Sequence, residues 1–528
     1  MFDDDFSENE IPTVLEQNWN RNDNQHIFFS HRYNVGFSRK VKMTESEIQA
    51  RKFAIDSQKE NEERKKNGGT AERPTPGRGN DDKTFGRPDN STIAGDEPDE
   101  KKKDNPAAAR IAVDGKAAAD SLAALEAGKQ QEEQWMKKEY VPVTSFIHTL
   151  SFDNYRRIYQ AYQTPGDFYA DTYDMDLRLG GDSIYDKTRH YSLKNTLAIA
   201  MLEGFNKWAK AGLKIFATSE LRHFSLPAPT MGTDSYNEHN LSIGAQMNKT
   251  QGRFRFNATA EATLTGTDAG QLRLNGQTDL RLPLLGDTLR IDAKAGLERL
   301  VPTFYYRHYH SRHLWWDKTL EKETRANLEG VLTFSRTKTR LRVAFSDIKN
   351  YTYFAQRYTI TEGYGRTGNT VEPLQHAGNI TLLTMQLDQN FRLGPVFWEN
   401  NVTYQKSSNQ DVLPVPALNL YTNLYLRFKI AKVLKVDLGA DMRYFTKYFA
   451  PDYSPALGQF AIQDNGGQNV KIGSYPIVNV YANMHLKQTR FFIMMSHVNA
   501  TDGNAFLTPH YPINKRVLRF GLSWNFFN

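Results

Sequence analysis

The feature that most restricts this chain is a two-residue period that recurs from about Val141 to its end. Phe254 to Leu264 sets Phe254, Phe256, Ala258, Ala260, Ala262 and Leu264 against Arg255, Asn257, Thr259, Glu261 and Thr263. Leu272 to Leu282 sets Leu272, Leu274, Leu280 and Leu282 against Arg273, Asn275, Gln277, Asp279 and Arg281. Leu289 to Leu297 opposes Leu289, Ile291, Ala293, Ala295 and Leu297 to Arg290, Asp292, Lys294 and Gly296. The pattern returns at Leu418 to Ile430, with Arg427 and Lys429 on the polar side, and at Leu434 to Tyr444, with Lys435, Asp437, Asp441 and Arg443 there. Successive side chains of a strand point to opposite faces, so each segment is a strand with one apolar and one ionic face. The chain is therefore all-β over most of its length.

The connections between segments alternate in length. Short turns fall near Gly204, Thr250 to Gly252, Leu284 to Asp287, Arg336 to Thr339, Leu393 to Pro395, Ala431 to Val433 and Lys487 to Thr489. Between them lie long links, at about 162–188, 218–239, 299–323, 347–378, 406–417, 446–474 and 499–515, with a shorter one at 265–270. An up-and-down antiparallel meander with one trimmed end and one elaborate end is the pattern of an outer-membrane barrel. A stack of soluble β-sandwiches shares the period. It would, however, need edge protection repeated many times, whereas a closed barrel has no edges. About seventeen strands, lengths near the 9 to 11 residues needed to cross a bilayer, and aromatic side chains at segment ends favour the transmembrane barrel. The last segment, 516–528, places Leu518, Phe520, Leu522, Trp524 and Phe526 on one face, like the aromatic-rich terminal strand that outer-membrane assembly machinery recognises; here Asn528, not an aromatic, is the final residue.

Composition removes other classes. With no cysteine among 528 residues there are no disulfides, thiolate metal sites or cysteine nucleophiles. No apolar run approaches the roughly 20 residues of a spanning helix. The net charge of +7 permits nucleic acid as a partner. The basic residues are nonetheless interleaved with acids along strand faces and form no patch, so nucleic acid is not expected. No G-x-S-x-G, H-E-x-x-H or phosphate-binding glycine loop occurs, and no enzyme activity or cofactor is expected.

Three zones follow. Residues 1–43 end in a strand-like segment, Ile27 to Val41, with Phe29, Tyr33, Val35 and Phe37 on one face. Residues 44–140 form a charged, low-complexity insert, too poor in apolar area to order as a whole. Within it, Thr44 to Glu47 reads as a capping box opening a helix to Lys66, Ala107 to Gln131 is alanine-rich, and Asn67 to Asn105 reads as linker. Residues 141–528 carry the main barrel.

Three stretches, His31-Arg-Tyr-Asn-Val-Gly-Phe37, Val141-Pro-Val-Thr-Ser-Phe-Ile-His-Thr-Leu150, and Tyr191-Ser-Leu-Lys-Asn-Thr-Leu197 followed by Glu203-Gly-Phe-Asn-Lys-Trp208, carry a resemblance. The sequence resembles the Bacteroidota-type putative porin family over most of its length outside the charged insert. The resemblance implies a β-barrel in the outer membrane of a Gram-negative cell with a diffusion role; it brings no defined functional residues. The expected partners are outer-membrane lipid and lipopolysaccharide, the assembly machinery and small hydrophilic solutes, with no expectation for oligomeric state. If Asn528 ends in the periplasm, the insert is periplasmic and Ile27 to Val41 runs downward from outside. A single-chain bacterial barrel normally has an even strand count and both termini inside, so a start outside with an odd number of strands, together with the missing signal peptide, leads us to expect a truncated N-terminus.

On the polar faces, the expected pore-lining residues are Arg255, Glu261, Arg273, Asp279, Arg281, Arg290, Lys294, Arg325, Glu329, Arg340, Arg342, Arg427, Lys429, Lys435, Asp437, Asp441 and Arg443. Bases outnumber acids there, which in an open lumen favours anions. The same residues also suit a cross-strand ion ladder bracing the wall, and both readings stand. His308, His310 and His313 form a weak metal candidate, because imidazole suits zinc, copper or nickel while a carboxylate shell is missing from the motif. Asp174, Asp176 and Asp182 in the acidic stretch Asp171 to Asp186 are a weak calcium candidate without EF-hand spacing. The function expected is passive diffusion of small hydrophilic solutes. The alternative is a non-conducting barrel serving as a structural or assembly and secretion component, and behind it stands a soluble β-rich binding protein.

Overall fold

The computed structural model describes residues 16–66, 135–173, 183–201, 211–229, 232–284, 286–361, 365–500 and 505–525. They fall into two compact units, Met1–Val35 with Val143–Asn528, and Gly36–Pro142. No described helix is long and apolar enough to cross a membrane.

The strands run in chain order: β1 Glu16–Lys42, β2 Met136–Gln163, β3 Ile184–Met201, β4 Gly212–Pro227, β5 Thr233–Lys249, β6 Phe254–Thr265, β7 Leu272–Leu284 and β8 Asp287–Leu300. A hairpin of β9 His308–His310 and β10 Trp315–Asp317 follows. Then come β11 Glu323–Phe334, β12 Thr339–Ile360, β13 Arg366–Leu393, β14 Val396–Ser407, β15 Leu418–Ile430 and β16 Leu434–Phe445. A second hairpin, β17 Asp452–Ser454 and β18 Gln459–Gln463, precedes β19 Ile477–Leu486 and β20 Thr489–Ser496, and the loop pair β21 Phe506–Thr508 and β22 Tyr511–Pro512 precedes β23 Val517–Trp524.

Leaving aside the loop hairpin β17–β18, which joins through a short parallel contact with β12, the nineteen-stranded sheet is an up-and-down meander. From β2 onward, each strand pairs antiparallel with the next in line: β2 through β8, then β11 through β16, then β19, β20 and β23. β1 pairs with β2. The expected antiparallel meander is thus present. Among the described residues no ladder joins β1 to β23, so closure into a barrel is not formed by strand pairing there.

Three connections differ from expectation, two long links and one turn. The links expected at 218–239 and 347–378 are mostly strand: β4 runs to Pro227 and β5 starts at Thr233, and β12 and β13 leave only residues 361–365 between them. At about 3.3 Å per residue, the 28 residues of β13 extend far beyond the 9 to 11 that cross a bilayer. At the trimmed end six turns are two to four residues, but the short turn expected near Gly204 is a ten-residue connection, 202–211, all but its last residue outside the described residues; β15–β16 is closed by Ala431 and Lys432, both with positive φ (49° and 64°), the backbone a tight hairpin demands.

One face of the sheet is apolar and bared. Leu197, Ile215, Leu328 and Phe520 are 64%, 60%, 60% and 78% exposed at mid-strand. A water-soluble sheet would cover such a face, so this surface needs an apolar environment. In β23, Leu518, Phe520, Leu522 and Trp524 are exposed together on that face, as the sequence requires; Phe526 lies outside the described residues. The hydrophobic core sits instead at the long-connection end. Tyr159, Ala161 and Ile184 from β2 and β3 pack with Tyr309, Leu314 and Trp316 from the β8–β11 loop, and with Phe354, Val371, Leu457 and Ala461.

The second unit contains helix α1, Glu45–Lys66, opened by the expected cap: the Thr44 N–H and hydroxyl both donate to Glu47 Oε2, at 2.8 and 2.9 Å. Glu47 also pairs with Lys137. The alanine-rich stretch and the linker between Asn67 and Asn105 lie outside the described residues.

Candidate functional site

The register places all the expected pore-lining residues on the sheet face opposite the bared apolar one. Arg255 lies across from Asp279, Arg281 from Arg290, Lys294 from Glu329, Arg427 from Asp437, and Asp441 from Asn423. Between β5 and β13 the bases are matched by acids. Asp279 gathers Arg255 at 2.8 Å, Arg290 at 2.7 Å and Arg281 at 3.3 Å, while Arg290 also reaches Asp292 at 2.8 Å. Glu329 bridges Lys294 (3.0 Å) and Arg342 (2.7 Å), Arg340 meets Asp388 at 3.1 Å, and Arg273 stands 3.9 Å from Glu261. Arg325 pairs with Glu323. The ion ladder therefore exists, and it ties neighbouring strands through charge-assisted bonds.

A further network was not legible in the sequence. Arg222 touches Glu220 (2.8 Å), Asp268 (2.8 Å) and Glu238 (3.4 Å), and Glu238 also takes Arg307 at 2.6 Å from the β8–β11 loop. From β15 to β23 the balance changes. Arg427 is held by Asp437 at 2.7 Å, but Lys429 stands directly opposite Lys435, and neither has an ion pair among the described residues. Like charges directly opposed destabilise a sheet unless something anionic lies between them.

Beside them the wall forms a recess of about 770 Å³ lined by Tyr421, Asn423, Asp441, Arg443, Asn479, Tyr481, Asn483, Arg490, Phe492, Arg519 and the loop residues Ile513 to Lys515. Of these, Asp441, Arg443 and Arg519 were expected on the polar face, as was Asn423; Arg490 and the aromatic members were not. The polar face of β20 is Arg490, Phe492 and Met494, which leaves no polar alternation to read.

At the other end of the strands the loops knit across the sheet. Arg157, buried near the end of β2, donates Nη1 to the Tyr309 hydroxyl (3.1 Å) and Nη2 to Asn20 Oδ1 (2.6 Å) and the Pro455 carbonyl (2.9 Å). Tyr309 in turn donates to the Ala456 carbonyl at 3.1 Å. The 164–173 loop meets β13, with Gly368 N–H donating to the Asp167 carbonyl and Asn369 N–H to that of Phe168, each at 2.8 Å. Arg366 and the fully buried Asp452 lie 3.4 Å apart, and burial pushes the Asp452 carboxyl up to about 6 against the pull of Arg366. Strands far apart in the meander are thus fastened to one loop cluster.

The three histidines separate. His308 Nδ1 and His310 Nε2 lie 2.6 and 3.0 Å from the two oxygens of Asp317, so the carboxylate missing from the sequence motif is supplied by β10. Trp315 stacks on His310 with ring centres 3.9 Å apart. His313 faces elsewhere, stacked on Tyr169 and 2.8 Å from the Asp171 carbonyl. Among the described residues no group of three histidine or carboxylate side chains is arranged to hold a metal ion, and the three histidines are not one site. Asp174, Asp176 and Asp182 lie outside the described residues. Asp186 is buried in β3, accepting the Arg312 N–H at 2.8 Å.

A many-stranded antiparallel meander with one bared apolar face, one ionic face and elaborate loops at one end defines a membrane β-protein. The chain belongs to the putative porin family, whose profile matches residues 1–528. No curated protein matches it. Among solved structures it is similar to the ferric enterobactin receptor mutant (Q482A) of Pseudomonas aeruginosa in complex with enterobactin, at 12% identity and a TM-score of 0.48, covering 74% of this chain and 64% of that one. The siderophore receptor PirA from Acinetobacter baumannii gives 12% identity and a TM-score of 0.48, over 74% of this chain and 62% of that one. The chain thus spans less than two thirds of the length of these receptors.

Proposed function

We propose that this protein is an outer-membrane barrel of a Gram-negative cell through which small hydrophilic solutes diffuse, with a bias toward anions. The observation that carries the reading is the division of one continuous sheet into a bared apolar face and an ionic face. The first suits outer-membrane lipid and lipopolysaccharide acyl chains, and the second suits water. Family membership supports the same role. The terminal strand, with Leu518, Phe520, Leu522 and Trp524 presented together, is the surface offered to the assembly machinery. The acid-matched arc supplies rigidity and the basic arc from β15 to β23 supplies the field. Single-channel recording of the full-length protein in a planar bilayer tests this. Ohmic steps whose reversal potential in a salt gradient shifts toward chloride are expected; insertion without conductance overturns the reading.

A second reading rests on the loop cluster. Arg157, Tyr309, Ala456 and Arg366 tie loops across the long-connection end, which favours a barrel occluded there and used for docking or secretion. Conductance that appears only after the loops are cleaved would favour it.

A further inference from the structure

The recess against β16, β19, β20 and β23 combines three kinds of surface that a plain water-filled wall does not require. The first is cationic. Arg443, Arg490 and Arg519 line it, and none has a carboxylate within ion-pair distance among the described residues. The one acid in the lining, Asp441, is engaged by the Asn479 side-chain amide at 2.9 Å. Planar guanidinium groups match a carboxylate or phosphate two bonds at a time.

The second surface is aromatic and held in place. Phe492 stands directly across from Gly521, where a Cβ would lie 2.5 Å from the ring, so the glycine is what lets the ring settle against the wall. Tyr481 lies beside it on β19 and fixes its hydroxyl by donating to Asn423 Oδ1 at 2.8 Å. The third surface is amide. Asn483 accepts from Arg490 at 2.9 Å and its own amide donates to no group among the described residues, and Ile513 to Lys515 also line the recess, with the Asn514 carbonyl 2.8 Å from His497 Nδ1. A bare anion has no use for the aromatic faces, and a neutral sugar has no use for three arginines. About 770 Å³ is the size of a small-molecule pocket. Below it, towards the trimmed end, His485 pairs with Arg490 across the ladder and leads to a smaller basic recess at Lys429, Lys435 and Lys487.

We infer that this recess is a binding site for a short acidic oligosaccharide of the hexuronate type, its carboxylates on Arg490, Arg519 and Arg443 and its ring faces on Phe492 and Tyr481. The inference deepens the porin reading by naming a solute class and rests on the same wall lining a solute path.

The test is calorimetric titration of the full-length protein, refolded in detergent, with trigalacturonate, maltotriose and inorganic phosphate. Trigalacturonate binds, and maltotriose and phosphate bind at least about tenfold more weakly. Arg490→Gln and Phe492→Leu each weaken trigalacturonate about tenfold or more, while Arg357→Gln at the loop end leaves it unchanged. Equal binding of maltotriose removes the anionic part of the claim, and phosphate binding as tightly as trigalacturonate reduces it to a bare anion site. Either overturns it, as does loss of binding in neither recess variant. Because the titration needs no current, binding without bilayer conductance refutes the porin reading and keeps the site; conductance without binding does the reverse.

Discussion

Tyr309→Phe isolates the fastening of the loop cluster. The substitution removes one oxygen and keeps the ring that stacks on Trp316, centre to centre 4.9 Å. The hydroxyl accepts from Arg157 at 3.1 Å and donates to the Ala456 carbonyl at 3.1 Å, in a place where Tyr309 is 3% exposed. Without it a buried carbonyl and one guanidinium N–H lose their partner, while Arg157 keeps Asn20 and Pro455. Leaving such groups unsatisfied costs about 1 to 3 kcal/mol, and with two of three Arg157 bonds retained about 2 kcal/mol is the working figure. At 1.4 kcal/mol per factor of ten, the opened population of the loop rises roughly thirtyfold. Amide hydrogen exchange on the refolded protein reads this directly, since local opening sets the rate. Amides of the β9–β10 hairpin should exchange roughly thirtyfold faster, with those of β6 to β8 unchanged. A rise below about threefold, or an equal rise across the strands, refutes the claim that this hydroxyl pins the loop.

Leu328→Arg puts a charge at a bared mid-strand position and should lower folding stability in vesicles by about 2 to 4 kcal/mol, read from a denaturant titration; an unchanged midpoint would mean that this face does not meet lipid. Glu329→Gln leaves Lys294 and Arg342 without their shared carboxylate and should move the reversal potential further toward chloride, with at most about 1 kcal/mol of stability lost at this part-exposed site; an unmoved potential would take Glu329 off the solute path. Burial raises the Asp317 carboxyl, but hydrogen bonds to His308 and His310 outweigh it and hold the group below its ordinary value. A lowered folded value gives stability that is present above the unfolded value and lost as pH falls through the folded one, so the β9–β10 hairpin should loosen below about pH 4. Tryptophan emission against pH should show that step in the native chain and not in Asp317→Asn. Gly266→Ala should cost more than about 2 kcal/mol, because φ is +94° and the new Cβ would sit 2.0 Å from the His239 carbonyl oxygen; an unshifted midpoint would show that this turn re-forms without strain.

Where a strand has one wet and one apolar face, its sequence states its structure. Phe254 to Leu264, Leu272 to Leu282 and Leu289 to Leu297 are β6, β7 and β8 almost residue for residue, and their ionic positions are the ladder. Alternation disappears where a strand rises among the loops. In β12, Thr352, Phe354, Ala355 and Gln356 are all buried, so neighbouring positions no longer differ in environment. Register shifts between Lys349 and Tyr351 and between Arg357 and Thr359 reverse the parity as well. Both effects make a continuous strand read as a loop, which is why the 347–378 link shrank to residues 361–365. The carboxylate partner of His308 and His310 was hidden for a different reason: Asp317 lies several residues on, and only the hairpin turn returns it.

The recess was the least legible part, and register explains why. Its inward row on β20, Arg490, Phe492 and Met494, alternates with Phe491, Ile493 and Met495, so both faces read as apolar and the strand looks like core. Phe492 acquires a role only opposite Gly521, and Arg490 only beside Asn483, on strands that no sequence spacing links. The same register decides what a cation does. Arg255 and Arg290 converge on Asp279 and become struts, whereas Lys429 opposite Lys435 and Arg519 opposite Met494 meet no acid among the described residues and leave their charge on the ionic face. A one-residue slip between β16 and β19 would send Asn479, Tyr481 and Asn483 to the lipid side together and abolish the recess without changing composition. Selectivity in such a wall is therefore a property of pairing, and substitutions that alter pairing at Gly439 or Gly521, where a Cβ would lie 2.5 Å from Tyr425 or Phe492, should change solute preference more than neutralising any single strut arginine.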